Sequence, residues 1–488
     1  MTIILLLCGC SAQKEQIPDE EVPTVNIGIT ARTGLSKDLY TVNQKLGDLT
    51  EKKAGVRAQL VWTGLNSSYG NSYYKNRQMG VDILNIYYNQ FEEYCEKSLL
   101  LDLEPYLGKD SCLREILKEK TPLPEDGQKG IYGIPKALSD IHTNGVILNR
   151  SYVEKYHMDV SGIRKPEDLA PLFEIIKKER PDVVPWALEK RTNAVIERSP
   201  IADVLDGCLS GILYEGTDDA VCNVYESDAY TKRVELAKRW QEKGYLADNI
   251  LTNIEPGQTQ VISGEAFAAE FVVKPDEMQY EESIYGDKVI IIPFDRPPVL
   301  DTEDDWITVW SIFSETKYPE EAVKVLELLY NDEEVLNMIL YGVEGLHYEV
   351  EEDGSFSFPD GVTENNVGYT CSVKWQFNTP KAGIWSGMSE DLEKDFKKFE
   401  ASAEVSPAYG FWLDESKITV DMQKIKAIVS GYKKFLNVGM TERGLSTEAY
   451  LEEFRQKLRE AGSEQLVKEV SKQYQAWKKE KEGQKAGK

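Results

Sequence analysis

The sequence predicts an α/β protein built as two lobes with a helical C-terminal region. Its 488 residues exceed the ~100–200 of an ordinary domain. Strand-like and helix-like segments alternate after the N-terminal stretch. That alternation is interrupted and starts again near Ile131.

Composition supports a large core and narrows the partners. Hydrophobic residues make up 41% and charged residues 29%, too apolar a mixture for a disordered chain. The net charge is −26, from 57 basic and 83 acidic residues. This sign opposes binding to nucleic-acid phosphates and to anionic lipid headgroups, so nucleic acid is excluded as a partner. Any membrane association is expected from a covalent anchor alone, and solubility accounts for much of the acidity.

The cysteines are Cys8, Cys10, Cys95, Cys112, Cys208, Cys222 and Cys371. No CxxC spacing or neighbouring histidine completes a metal site, and no cofactor is implied. Cys208 and Cys222 bracket the turn-rich GCLSGILYEGTDDAVC. A disulfide there would contribute roughly 3 kcal/mol, and two buried thiols are the alternative.

The first strand is expected over Val22–Thr30, then a helix from Gln44 to Lys53 ending at Gly55, and a second strand over Arg57–Trp62. Val81–Tyr87 reads as a third strand, followed by a helix, which makes a largely parallel sheet. A second pattern opens with Ile131–Pro135 and Asn144–Asn149. Pro166 then stands at the first position of a helix whose Leu169, Leu172, Phe173 and Ile176 share one face. Glu265–Ala269 and Val289–Pro293 are further strands. From Pro319 an amphipathic stretch, one helix or two, puts Ala322, Val325, Leu326 and Leu329 on a stripe. Helices are expected at 419–438, 446–461 and 463–479, with fraying after Trp477.

At the N-terminus, MTIILLLCGC ends in Leu7-Cys8-Gly9-Cys10 and is followed by the polar SAQKEQIPDEEVP. This resembles the lipobox of bacterial lipoproteins, with Cys10 as the lipidated residue and the polar stretch as a tether. The apolar run is short and no Lys or Arg precedes it, so the start codon is expected upstream. No other stretch approaches the ~18–20 apolar residues needed to cross a bilayer.

MGVDILNIYYNQFEEYCEKSLLLDLEPYL and KGIYGIPKALSDIHTNGVILNRSYVEKY resemble the first lobe and first crossover of family 1 extracellular solute-binding proteins. SGEAFAAEF and the WITVWSIFSETKYPEEAVKVLELLYNDEEVLNMILYGVEGLHYE that follows are similar to the segments flanking the return crossover. YGVEGLHYE, the stretch around Trp375–Asn378, GFWLDESKITVDMQKIKAIVSGYKKFL and LEEFRQKLREAGSEQLVKEVSKQYQAW resemble the LplA-like subgroup with a C-terminal DUF3502 region. The colinear order carries more weight than any one motif.

The resemblance implies a two-lobed periplasmic-binding-protein-like fold of class II, with the ligand held between the lobes. It implies a signal peptide over 1–10, a tether over 11–23, a first lobe from 24–140 plus about 302–340, and a second from 141–301 plus about 341–480. The implied function is that of a monomeric, lipid-anchored subunit of an ABC importer on a Gram-positive cell surface. It would capture a carbohydrate, of the oligosaccharide class, and hand it to permease subunits.

A sugar presents apolar faces and a rim of hydroxyls, which aromatic platforms with polar neighbours recognise. Trp62, Tyr87 and Tyr88 stand at strand ends, where cleft loops emerge. His142 follows the first crossover. Trp186, with Arg191 nearby, occupies a second-lobe cleft strand by the resemblance. Phe271 and Trp310 flank the return crossover, and Trp375, Phe377 and Asn378 lie in the subgroup segment. Trp240 and Trp477 are expected in the core.

Two other readings share the composition. A secreted glycoside hydrolase needs a carboxylate pair, which 83 acidic residues always offer and sequence spacing cannot identify. No GxSxG, HExxH, GxxxxGK[ST] or GxGxxG occurs, and His142, His157 and His347 are scattered, so catalysis is not expected. A sensor docking on a membrane receptor would share fold and cleft. The acidic run from Asp301 to Asp305 lacks the spacing and glycine of a calcium loop and reads as solvated.

Overall fold

The structure is a computed structural model that describes residues 22–30, 36–63, 73–120, 130–138, 141–188, 194–196, 201–216, 219–302, 308–371 and 373–486. Cys10, Arg191 and most of the acidic run at 301–305 lie outside these residues.

The first sheet has five strands in the order Arg57–Thr63, Thr24–Thr30, Ile83–Tyr87, Thr308–Ile312 and Ile134–Pro135. The first three are parallel, with Thr24 opposite Arg57 and Ile27 opposite Ile83. Thr308–Ile312 runs antiparallel to Ile83–Tyr87, pairing Trp310 with Asn85, so the sheet is mixed where a largely parallel one was expected. The strand inserted between Ile83–Tyr87 and Ile134–Pro135 arrives from beyond the second sheet, and it arrives in the opposite direction.

Helix Leu39–Ala54 starts five residues before its expected beginning and covers this sheet with Val42, Leu46 and Thr50, spaced at i, i+4 and i+8. Gly55 ends it at φ 70°, a left-handed conformation that glycine adopts without a Cβ clash. The amphipathic stretch after Pro319 is two helices, Pro319–Asn331 and Glu333–Leu340. Asp332 separates them and caps the second by accepting the Val335 N–H at 3.0 Å.

The second sheet has four strands in the order Val289–Pro293, Thr143–Asn149, Ala266–Val273 and Val184–Ala187. Thr143–Asn149 is antiparallel to both of its neighbours and buried along its whole length. Pro166 opens a short 3-10 turn that leads into helix Ala170–Glu179, whose Leu172, Phe173 and Ile176 enter the core.

A third cluster joins the small sheet of Ala202–Val204, Ser210–Leu213 and Cys222–Asn223 to helices Met422–Leu436, Thr447–Glu460 and Ser463–Ala486. Cys208 and Cys222 are free thiols here, and burial pushes the Cys208 thiol up. The tail does not fray at Trp477. It stays helical to Ala486, because Lys478 pairs with Asp219 at 2.8 Å and Lys481 both donates to the Tyr409 carbonyl at 2.9 Å and covers the Trp477 ring. Among the described residues no helix is long and apolar enough to cross a membrane.

The two large sheets meet where the chain crosses between them. His142 bridges Val299, Thr143 donates its hydroxyl to the Arg296 carbonyl at 2.8 Å, and the Phe294 N–H bonds the Asn144 carbonyl at 2.8 Å. A further parallel pair, Val299–Leu300 with Glu404–Val405, ties the return crossover to the C-terminal region.

Candidate functional site: a cleft between the sheets

Beside these crossings lies a cleft of about 590 Å³. One wall is strand Ala266–Val273 and the helix Pro275–Tyr285 that follows it; the opposite wall combines Tyr87, at the end of a first-sheet strand, with the segment from Thr370 to Leu392. Pro275 at the first helical position stops the strand and starts the helix. Asp276 and Glu277 occupy its first turn, where the helix dipole favours negative charge. Helical spacing then brings Glu277, Tyr280 and Glu281 to the same side as the cleft.

Lys374 enters from the opposite wall. Its Nζ lies 3.6 Å from the centre of the Tyr280 ring and 5.4 Å from that of Tyr341, a cation–π arrangement that holds the charge between two rings. Burial pushes its ammonium below the usual lysine range, while Glu364, Glu281 and Asp276 oppose that shift. Burial, with the Glu364 charge adding to it, lifts the Glu281 carboxyl to about 8, and Lys374 pulls the other way. Asp276 accepts the Thr379 hydroxyl at 2.8 Å through one oxygen. Its other oxygen, one oxygen each of Glu281 and Glu364, and the Trp375 indole N–H are buried without a hydrogen-bond partner among the described residues. Such atoms are costly unless something polar reaches them.

Four of the sequence candidates meet at this cleft: Tyr87, His142, Phe271 and Trp375. Tyr87 is 38% exposed, whereas Phe271 is nearly covered. Trp375 is braced from behind by Lys136, which donates to its carbonyl at 3.2 Å and sits 5.2 Å from its ring centre.

Trp186 is corrected: it is fully buried, its indole donates to the Val195 carbonyl at 3.0 Å, and its ring packs edge-on against Trp240 at 5.2 Å. Only the residues after it, Ala187 and Leu188, reach the cleft. Trp310 and Phe377 are also core, 5.3 Å apart, with the Trp310 indole bonded to the Gln376 carbonyl at 3.1 Å. Asn378 lies off the cleft and donates to the Tyr330 carbonyl at 3.1 Å. Trp62 packs in the first-sheet core, away from the cleft wall. Helix Tyr88–Glu96 begins at Tyr88, whose side chain lies outside the description.

Sequence reasoning missed Asp276, Tyr280, Glu281, Tyr341, Glu364 and Lys374. The Pro-initiated helix at the carboxyl end of a buried strand was a usable signal, since ligands gather at such ends. Glu364 sits in a turn and Lys374 opens the three-residue 3-10 helix Lys374–Gln376, both too short for a period to mark a face.

Comparison with known proteins agrees with this geometry. Residues 407–479 match a family described as a domain of unknown function, DUF3502. A carbohydrate ABC transporter substrate-binding protein of Streptococcus pneumoniae serotype 4 is 24% identical over 446 residues, covering 89% of this chain and 87% of the relative. The crystal structure of an N-glycan transport solute-binding protein, NgtS of Streptococcus pneumoniae, in complex with Man1GlcNAc superimposes with a TM-score of 0.76 at 22% identity. It covers 94% of this chain and 100% of that one. The fold is that of a solute-binding protein. A more distant structure of the same architecture, the alginate-binding protein AlgQ2, has a TM-score of 0.60 at 14% identity over 94% of this chain and 99% of that one. The DUF3502 match falls on the helices of the third cluster, which pack beside the second sheet's lobe and leave the cleft open.

Proposed function

We propose that this chain is the ligand-capturing subunit of an ABC importer and that its ligand is an oligosaccharide. The observation that carries the reading is the cleft between two sheets, where aromatic rings stand beside buried polar atoms that lack partners. That combination suits a ligand with apolar faces and many hydroxyls. Support comes from the like-folded NgtS, whose described ligand is a glycan, and from the similarity to a carbohydrate substrate-binding protein.

Capture proceeds by closure of two lobes about the crossings near 137–142 and 295–306; Tyr369, Cys371, Val373, Phe377 and Ala382, expected in the second lobe with 341–480, share the first sheet's core and move with the first lobe. A ligand that touches both walls binds the closed form better than the open one, which is the requirement for closure. Cys10 carries the lipid that keeps the receptor near its permease, and the ligand leaves unaltered. Cys10→Ala protein from a native-start gene should lose its membrane association; retention would remove the anchor.

A thermal-shift screen of glycans and peptides, followed by calorimetry on each hit, tests the reading. Saturable glycan binding, with the sugar recovered intact by chromatography and a smaller radius of gyration in scattering, is the expected result. Binding of peptides alone, or turnover of the sugar, would replace it.

A further inference from the structure

The return crossing and the C-terminal region converge on one buried carboxylate. Asp203, 2% exposed on strand Ala202–Val204, accepts the Thr302 hydroxyl at 2.8 Å through one oxygen and the Ser406 hydroxyl through the other. Thr302 lies on the return crossing, and Ser406 immediately precedes the residues matched to DUF3502. The Glu404 N–H bonds the Pro298 carbonyl and the Ser406 N–H the Leu300 carbonyl, both at 2.9 Å. Val299 in turn bridges His142 of the first crossing. Three backbones therefore lie side by side, and Asp203 fastens two of them to the small sheet. Tyr214, next to that sheet, donates to Asp301 at 3.1 Å, and the Arg296 guanidinium lies 5.2 Å from its ring.

We propose that Asp203 is a positioning residue for lobe closure: with Thr302 and Ser406 it splints the return crossing to the C-terminal helical region, which thereby limits how far the lobes swing. The inference rests on the closure reading above and gives the DUF3502-matched region a task in it. A hinge bends where backbone dihedrals are free to change. Between Phe294 and Thr302 the return crossing is bonded to Asn144, Arg164, Thr143, Glu404, Ser406 and Asp203, so this stretch turns as one piece with the second lobe. A swing that bent it would pull a hydroxyl off a buried carboxylate and leave that charge short of a donor, a costly state away from water. The third cluster supplies the anchor. Ala408 and Phe411, just beyond Ser406, are buried among helices Met422–Leu436, Thr447–Glu460 and Ser463–Ala486. Holding the lobes to a narrow arc means that fewer orientations are lost when a ligand closes them, which favours binding.

The test reads the spread of lobe-to-lobe distances in the full chain without ligand, by pulsed electron–electron resonance. Spin labels are carried by noncanonical residues at Lys45 of the first lobe and Lys178 of the second, both exposed helix positions. The Thr302→Val/Ser406→Ala double variant removes both hydroxyls with little change in bulk, and it should widen the spread. Thr302→Ser keeps its hydroxyl and should retain the wild-type spread. Trp477→Ala weakens the same cluster without removing a donor to Asp203, so it should lower Tm and leave the spread alone. An unchanged spread in the folded double variant overturns the proposal. Equal widening in Trp477→Ala also overturns it, because any loosening of the cluster would then suffice. If the double variant does not fold, Thr302→Val alone decides on the same readout. Since no ligand is added, a glycan screen without hits leaves this test standing. The closure reading fails separately, on a mean wild-type distance that does not shift when a glycan found by the screen is added.

Discussion

The second sheet's core and the cleft are both rich in aromatic rings, yet they treat polar atoms in opposite ways. Around Phe173 the rings of Trp186, Trp240, Tyr245 and Phe267 lie 5.1–6.2 Å away. Polar atoms there are bonded internally, the Trp186 indole to Val195 and the Tyr245 hydroxyl to Glu174. Around Lys374 stand the rings of Tyr280 and Tyr341, which pack edge-on against Trp385 at 5.9 and 5.8 Å, a spacing of ordinary aromatic pairs. Yet the indole nitrogen of Trp375 and three carboxylate oxygens of cleft residues find no partner among the described residues. Aromatic content does not distinguish the second sheet's core from the cleft; hydrogen-bond completeness separates these two regions, although the Trp62 indole and the Tyr474 hydroxyl in the other cores also lack partners among the described residues.

The sharpest way to break this contrast is Trp186→Ala, which removes a fully buried indole and should lower stability by about 3–5 kcal/mol. Chemical denaturation measures the loss, and glycan affinity of the remaining folded protein should be unchanged. A clear affinity loss would return Trp186 to the site. Trp375→Ala should do the reverse: a ~5- to 200-fold weaker Kd, corresponding to ~1–3 kcal/mol, with little change in apo Tm. Calorimetry paired with a melt separates the two outcomes.

Glu281→Gln probes the incomplete site by pH. The carboxyl titrates near 4.5 in the unfolded chain and near 8 in the folded one, so the folded protein binds more protons between those values. Stability from this group is therefore full below about pH 4.5 and is lost as pH rises toward 8. The amide has no such dependence. Melts at about pH 5 and about pH 8.5 should show the variant gaining on wild type at the higher value; parallel profiles would mean that Glu281 is solvated. The smallest effect is expected for Trp477→Ala, about 1–2 kcal/mol, because this half-buried ring packs on Phe411 and Tyr474 at the edge of the helical cluster. Ligand affinity should not move.

Regular elements were legible because period and punctuation agree with packing. Gly55 marks the end of helix Leu39–Ala54, and the Val-Ile-Leu run of Thr143–Asn149 is apolar because both of its faces are covered. The site was legible only in part. Tyr87 and Trp375 could be placed by strand ends and subgroup resemblance, but Trp186 and Trp310 occupy equally plausible strand positions and turn inward. Strand alternation gives two faces without saying which one meets water when both are covered. Lys374 and Glu364 act through contacts with distant helix Pro275–Tyr285, and no local pattern encodes such contacts.

The inserted strand Thr308–Ile312 has a consequence for how the molecule is made. Asn85 and Trp310 face each other across the sheet although roughly 220 residues of chain separate them, a long loop to close before the pairing is rewarded. A chain emerging from its N-terminus must hold strand Ile83–Tyr87 with an open edge while the whole second sheet is still being delivered. An open edge of apolar strand is a template for wrong pairing. The first lobe is begun first and finished late, so its maturation is gated by the arrival of sequence from the other side of the cleft.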